Sequence, residues 1–207
     1  MTARRWWLVL AVAIAGGAIW FLFPGGTGPA RPTGGDQVIA FGDSLVQGVG
    51  ATPGRDLVSV LSRRLNTPIV NAGRSGDTTG AALARLDRAV LSRRPRVVLV
   101  LVGGNDLLRR VPRQEMLENL EAIVTRIRAR GAAVVLATVE INLFAAADGR
   151  AYEELAERTS AALVPDVLGG IWGRTDLMSD GIHPNDRGYG AMADRIEPVL
   201  RDLIFGE

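Results

Sequence analysis

Val97-Val98-Leu99-Val100-Leu101-Val102, followed at once by Gly103-Gly104-Asn105-Asp106, is the stretch that decides the fold. Six consecutive apolar residues leave no polar face for water, so the segment reads as a strand buried on both sides. Similar runs stand at Val38-Ile39-Ala40-Phe41, Pro68-Ile69-Val70 and Ala133-Val134-Val135-Leu136-Ala137, with a shorter one near Ala162-Leu163-Val164. Between them, apolar residues recur at helical spacing over about 56–65, 79–93, 114–130, 151–164 and 187–204. Pro95 closes the second helical segment and Gly131 the third. Strands that do not alternate, separated by amphipathic helices, predict an α/β domain with a parallel sheet covered on both faces.

In such a sheet, ligands bind beyond the carboxyl ends of the strands. Gly42-Asp43-Ser44-Leu45 follows the first strand, Asn71-Ala72-Gly73-Arg74-Ser75-Gly76-Asp77 the second, and Gly103-Gly104-Asn105-Asp106 the third. Asp180-Gly181-Ile182-His183-Pro184-Asn185 precedes the last helix. All four polar loops are expected on one rim.

Composition narrows the chemistry available there. The 207 residues include no cysteine and one histidine, His183, and all 24 basic residues are arginine. Lysine Schiff bases, the P-loop lysine, thiolate catalysis, disulfides and His/Cys zinc clusters are therefore excluded. Arg4, Arg5, Arg31 and Asp36 precede residue 37, so 21 arginines face 21 acids in the remainder. That balance gives no nucleic-acid-binding footprint.

A hard-cation site made of carboxylates stays open, and the chemistry these loops can support is nucleophilic acyl transfer. A serine hydroxyl attacks only when a base accepts its proton, and the base works only when its tautomer is fixed. Ser44 stands at a strand-to-helix turn, His183 is the sole imidazole, and Asp180 is three residues away, within reach of Nδ1 through a tight loop. The Ser44 N–H, the Gly73 N–H and the Asn105 amide are the candidate donors for a developing oxyanion. Asp43 and Asp106 read as turn-holding residues, and Ser75 as a loop residue near the substrate.

These four blocks resemble those of the GDSL, or SGNH, hydrolases, over about residues 37 to 203. The likeness is to the bacterial branch of multifunctional acyl thioesterases, lysophospholipases and arylesterases, whose C-terminal segment is similar to Trp172-Gly173-Arg174 through Asn185. The resemblance implies a three-layer, flavodoxin-like α/β/α sandwich. It also implies hydrolysis of small-molecule or lipid esters by a Ser44, His183, Asp180 triad without metal or cofactor. A carbohydrate O-acetyl esterase on the same triad is the alternative. A non-catalytic binding module or an anchored scaffold would leave the complete triad without a role.

Leu107 and Leu108, with Ile141-Asn142-Leu143-Phe144 and Ile182, are candidates for an apolar wall that receives an acyl or aryl group, in particular Leu107, Leu108, Leu143, Phe144 and Ile182. Leu107, Leu108 and Leu143 could equally be core residues at the ends of elements.

Residues 6–23 form 18 uninterrupted apolar or glycine residues behind Arg4 and Arg5. As a helix they would extend about 27 Å, close to the roughly 30 Å of a bilayer core. Trp6, Trp7 and Trp20 lie near the two ends, where interfaces favour tryptophan. A cleaved signal is the rival reading, although Gly28-Pro29-Ala30 is a poor cleavage site. A buried core helix fits poorly, because a Gly/Pro-rich tether follows. The expected organisation is an anchor or signal over 1–23, a tether over 24–36 and a hydrolase domain over 37–207, exported either way. No feature sets an oligomeric state.

Overall fold

The computed structural model describes residues 28–140 and 145–206. Strands β1 (Gln37–Gly42), β2 (Ile69–Gly73), β3 (Pro95–Leu101), β4 (Ala133–Ala137) and β5 (Ala162–Val164) form one sheet in the order β2-β1-β3-β4-β5. Every neighbouring pair is parallel, with Leu99 of β3 set between Ala40 of β1 and Val135 of β4.

The deciding stretch lies at the centre, and its two side-chain rows enter different cores. Val97, Leu99 and Leu101 pack with α2 (Leu57–Arg64) and α7 (Asp186–Phe205), against Leu57, Leu61, Met192 and Ile196. Val98, Val100 and Val102 pack with α3 (Thr79–Ala89), α5 (Arg113–Arg128) and α6 (Ala145–Thr159), against Leu86, Leu120, Ile123 and Leu155. This produces the three-layer α/β/α sandwich. Val97 to Leu101 are each at most 1% exposed, and burying each such side chain stabilises the fold by about 1.5–3 kcal/mol.

Several boundaries differ from the sequence reading, for local reasons. The segment 151–164 is not one helix: α6 ends at Thr159, Ser160 takes φ +53°, and β5 follows. α3 ends at Ala89 and a 3-10 turn (Leu91–Arg93) follows, with Pro95 opening β3 rather than closing a helix. Proline is tolerated at a first strand position, and it disfavours right-handed helical backbone at Arg94, which takes φ +53°. β2 continues through Asn71-Ala72-Gly73, which had read as loop. Two one-turn helices, α1 (Ser44–Gln47) and α4 (Gly104–Leu108), begin where strands β1 and β3 stop.

Residues 28–36, part of the stretch read as a flexible tether, lie along the amino-terminal edge of the sheet. The Ala30, Thr33 and Asp36 N–H groups donate to the carbonyls of Ser160 (3.0 Å), Gly131 (2.8 Å) and Arg94 (3.0 Å), in the loops entering β5, β4 and β3. Among the described residues no helix is long and apolar enough to cross a membrane. The segment 6–23, read as anchor or signal, lies outside the described residues, as do residues 141–144 with Leu143 and Phe144.

Candidate active site

The strand order reverses between β1 and β3, and the crevice at their carboxyl ends is the switch point at which sheets of this kind bind ligands. Ser44 and Asn105 stand on its two sides.

Ser44 opens α1. The turn before it depends on Gly42, where a Cβ would lie 1.8 Å from the Leu101 carbonyl oxygen. Asp43 caps the helix, its Oδ1 accepting the Leu45 N–H at 3.0 Å, and Gly48 closes it at φ +92°. Asn71 adds a bond from its side-chain amide to the Val46 carbonyl at 2.9 Å. The Ser44 N–H has no acceptor among the described residues, so it is free to donate at the helix start.

The histidine loop is built around one carboxylate. Asp180 Oδ1 accepts the backbone N–H groups of Ile182 and His183, both at 2.7 Å, while Oδ2 lies 2.8 Å from His183 Nδ1. Ser179 N–H and Oγ both donate to the His183 carbonyl, at 2.8 and 3.0 Å. Asn185 begins α7 by accepting from the N–H groups of Arg187 and Gly188. The imidazole is thereby held with Nε2 at 3.1 Å from Ser44 Oγ. The His183 side chain, together with the backbone N–H groups of His183 and Ile182, holds the Asp180 carboxyl well below the usual range, at about 2. An ionised Asp180 keeps the proton on Nδ1 and leaves Nε2 as the acceptor facing Ser44.

Asn105, on α4, donates from Nδ2 to the Asp77 carbonyl at 3.0 Å and lies 3.5 Å from Asp43 Oδ2. Asp43 is 3% exposed, and burial raises its carboxyl to about 6 against the opposing pull of the Leu45 N–H. Asp106, expected to hold its own turn, instead reaches a distant one. Its carboxylate accepts the Thr79 N–H (2.9 Å) and hydroxyl (2.6 Å), joining α4 to the start of α3.

The arrangement of a base-paired serine hydroxyl, an oriented imidazole and nearby amide donors can perform acyl transfer. A comparison with family models matches residues 40–191 to the GDSL-like lipase/acylhydrolase family. The chain belongs to that family.

Bacterial proteins are among those that the chain is similar to. Esterase TesA of Pseudomonas aeruginosa is 31% identical over 81% of this chain and 89% of its own length. Thioesterase 1/protease 1/lysophospholipase L1 of Escherichia coli is 30% identical over 84% and 88%. Among solved structures, the esterase EstA from Pseudoalteromonas sp., inhibited by monoethylphosphonate, superposes with a TM-score of 0.73 at 28% identity, covering 81% of this chain and 98% of that one.

Against this GDSL frame, Ser44, His183, Asp180 and Asn105 converge as expected from the sequence, whereas Gly73 does not behave as a free donor. Its N–H donates to Asn71 Oδ1 at 2.9 Å. A Cβ there would lie 2.2 Å from the Gln47 nitrogen, so the glycine lets β2 press against α1. In the same loop, Gly76 (φ +81°) has an N–H with no acceptor among the described residues, beside the Asp77 carbonyl that holds Asn105. Sequence reasoning missed it. The signal was a second glycine three residues on, in a loop too long for both to serve the same turn. Ser75 is an exposed loop residue whose N–H donates to Gln47 Oε1 at 2.6 Å.

Beside Ser44 and Asn105 the crevice is walled by Leu45, Leu108, Val139, Leu168, Trp172 and Ile182. Leu108 and Ile182 from the expected wall are there. Leu107 turns the other way and packs against the core beneath α3 and α5. Four residues with large exposed apolar side chains occur among the described residues, and three of them, Leu108, Trp172 and Ile182, line this crevice.

Proposed function

We propose that this GDSL-family chain is a serine hydrolase of carboxylic esters and thioesters that works through an acyl-enzyme on Ser44. The observation that carries the reading is the unbroken line Asp180 Oδ2, His183 Nδ1, His183 Nε2, Ser44 Oγ, with spacings of 2.8 and 3.1 Å across its two hydrogen bonds. Ser44 Oγ attacks the carbonyl carbon as its proton passes to His183 Nε2. The oxyanion that forms is held by the Ser44 N–H and the Asn105 amide, with the Gly76 N–H as the third donor. Collapse of the intermediate breaks the bond to the leaving alkoxide or thiolate, which takes the proton from Nε2. Water then attacks the acyl-enzyme, gives a proton to Nε2, and the returning proton frees Ser44 and the carboxylic acid.

The apolar wall favours acyl or aryl groups over sugars, and the relatives named esterase, thioesterase and lysophospholipase agree in class. The 6–23 segment supports a domain tethered to a membrane and held outside the cytoplasm. The Ala30 N–H bonds to the Ser160 carbonyl, in the loop entering β5, so the segment that would lead to such a tether joins the domain at the end of the sheet opposite Ser44. The test is Ser44→Ala against p-nitrophenyl butyrate and a medium-chain acyl-CoA. Loss of both activities is expected, and retention of either overturns the mechanism.

A further inference from the structure

Arg85, on α3, is 10% exposed at its side chain, and each nitrogen of its guanidinium is engaged. Nε donates to Asp77 Oδ2 at 2.5 Å, Nη1 to the Ala72 carbonyl at 3.0 Å and Nη2 to the Gly42 carbonyl at 2.9 Å. The group also lies 4.5 Å from the centre of the Phe41 ring. Gly42 leads into Asp43 and Ser44. Ala72 is the penultimate residue of the neighbouring strand β2. Asp77, itself 5% exposed at its side chain, is held by Arg85 through its carboxylate while its backbone carbonyl accepts the Asn105 amide. Arg74 Nε approaches the other Asp77 oxygen at 3.8 Å, but its side chain is 67% exposed.

We propose, on the ester-hydrolase reading above, that Arg85 is a positioning residue for the oxyanion hole. It fixes Asn105 through Asp77 and the nucleophile turn through Gly42. The planar fork is what the task requires, since one rigid group must meet three acceptors on two strands and a loop. Lysine keeps the charge and loses that geometry. Without the fork, the Asp77 carboxylate is left buried and poorly compensated, its peptide reorients, and the Asn105 amide leaves the place where negative charge develops.

The test is a double-mutant cycle with p-nitrophenyl butyrate, each preparation normalised to active sites by stoichiometric fluorophosphonate titration. Arg85→Lys is expected to lower kcat about 10- to 50-fold with KM within about twofold, and Asn105→Ala about 10²- to 10³-fold. Added to Asn105→Ala, Arg85→Lys is expected to cost less than about threefold more, because both act on one group. Multiplicative losses, or an Arg85→Lys kcat within about twofold of wild type, overturn the proposal. An Asn105→Ala enzyme within about threefold of wild type overturns it too, while leaving the serine mechanism to the Ser44→Ala test. If Arg85→Lys does not fold, Asp77→Asn is used, which keeps the carbonyl and removes the charge. The same pattern is expected, and a kcat within about twofold of wild type overturns the proposal.

Discussion

Asp180 meets His183 twice, taking the backbone N–H of that residue on Oδ1 at 2.7 Å and the ring Nδ1 on Oδ2 at 2.8 Å. One carboxylate thus shapes the turn that presents the imidazole and sets the imidazole's tautomer. Asp180→Asn keeps an acceptor for the turn but offers Nδ1 a donor, which pushes the ring proton toward Nε2. The expected result is a fall in kcat of about 10²–10⁴. Initial rates on p-nitrophenyl butyrate decide it, and a loss below tenfold would mean that the tautomer is set elsewhere.

Gly73 provides a steric test. Because its Cβ would lie 2.2 Å from the Gln47 nitrogen, Gly73→Ala must push α1 and Ser44 away from β2. Overpacking of this kind costs about 1–3 kcal/mol. Lower thermal stability together with lower kcat is expected, measured by thermal melts and ester turnover. A variant with wild-type melting and wild-type kcat would contradict the close approach of β2 to α1 at this glycine.

Asp43 ties stability to pH. Its carboxyl ionises near 6 in the folded chain, raised by burial from 3.8, so the native state holds a proton that the unfolded chain releases. The stabilisation is therefore complete below about pH 4 and is lost as pH rises through about 6, a change on the order of 3 kcal/mol. Asp43→Asn still offers an oxygen to the Leu45 N–H and does not titrate. Denaturant melts at pH 4.5 and 7.5 should show the variant gaining on wild type at the higher pH. An unchanged difference would contradict a buried, reluctantly ionised Asp43.

Trp172, 36% exposed, bears on substrate length. If it covers the acyl chain, Trp172→Ala should raise KM for a p-nitrophenyl hexanoate several-fold more than for the acetate. Pocket contacts of a methylene or two are worth about 1–3 kcal/mol. Equal effects on both esters would place the acyl group elsewhere.

How much of this could be read from the chain follows from distance along it. Val97 to Val102 announced a doubly buried strand because both its faces enter cores, and every residue says so. Asp180 and His183 were legible because three residues separate them, and Ser44 because a strand visibly ends before it. The Arg85, Asp77, Asn105 linkage was not, since its bonds span 8 and 28 residues and no local pattern marks them. Gly73 misled because a glycine required for close approach and one required as a bare donor look alike in sequence. α6 was misplaced because its helical periodicity runs on into the apolar residues of β5.

In the proposed mechanism Ser44 carries the acyl group while His183 takes its proton. That division of roles is tested most directly by intact-mass and peptide-mass spectrometry after exposure to a fluorophosphonate, on wild type, Ser44→Ala and His183→Ala. A single adduct is expected on wild type, mapped to Ser44, with none on Ser44→Ala and labelling of His183→Ala slowed at least about a hundredfold. An adduct on another residue, or full-rate labelling without His183, would contradict it.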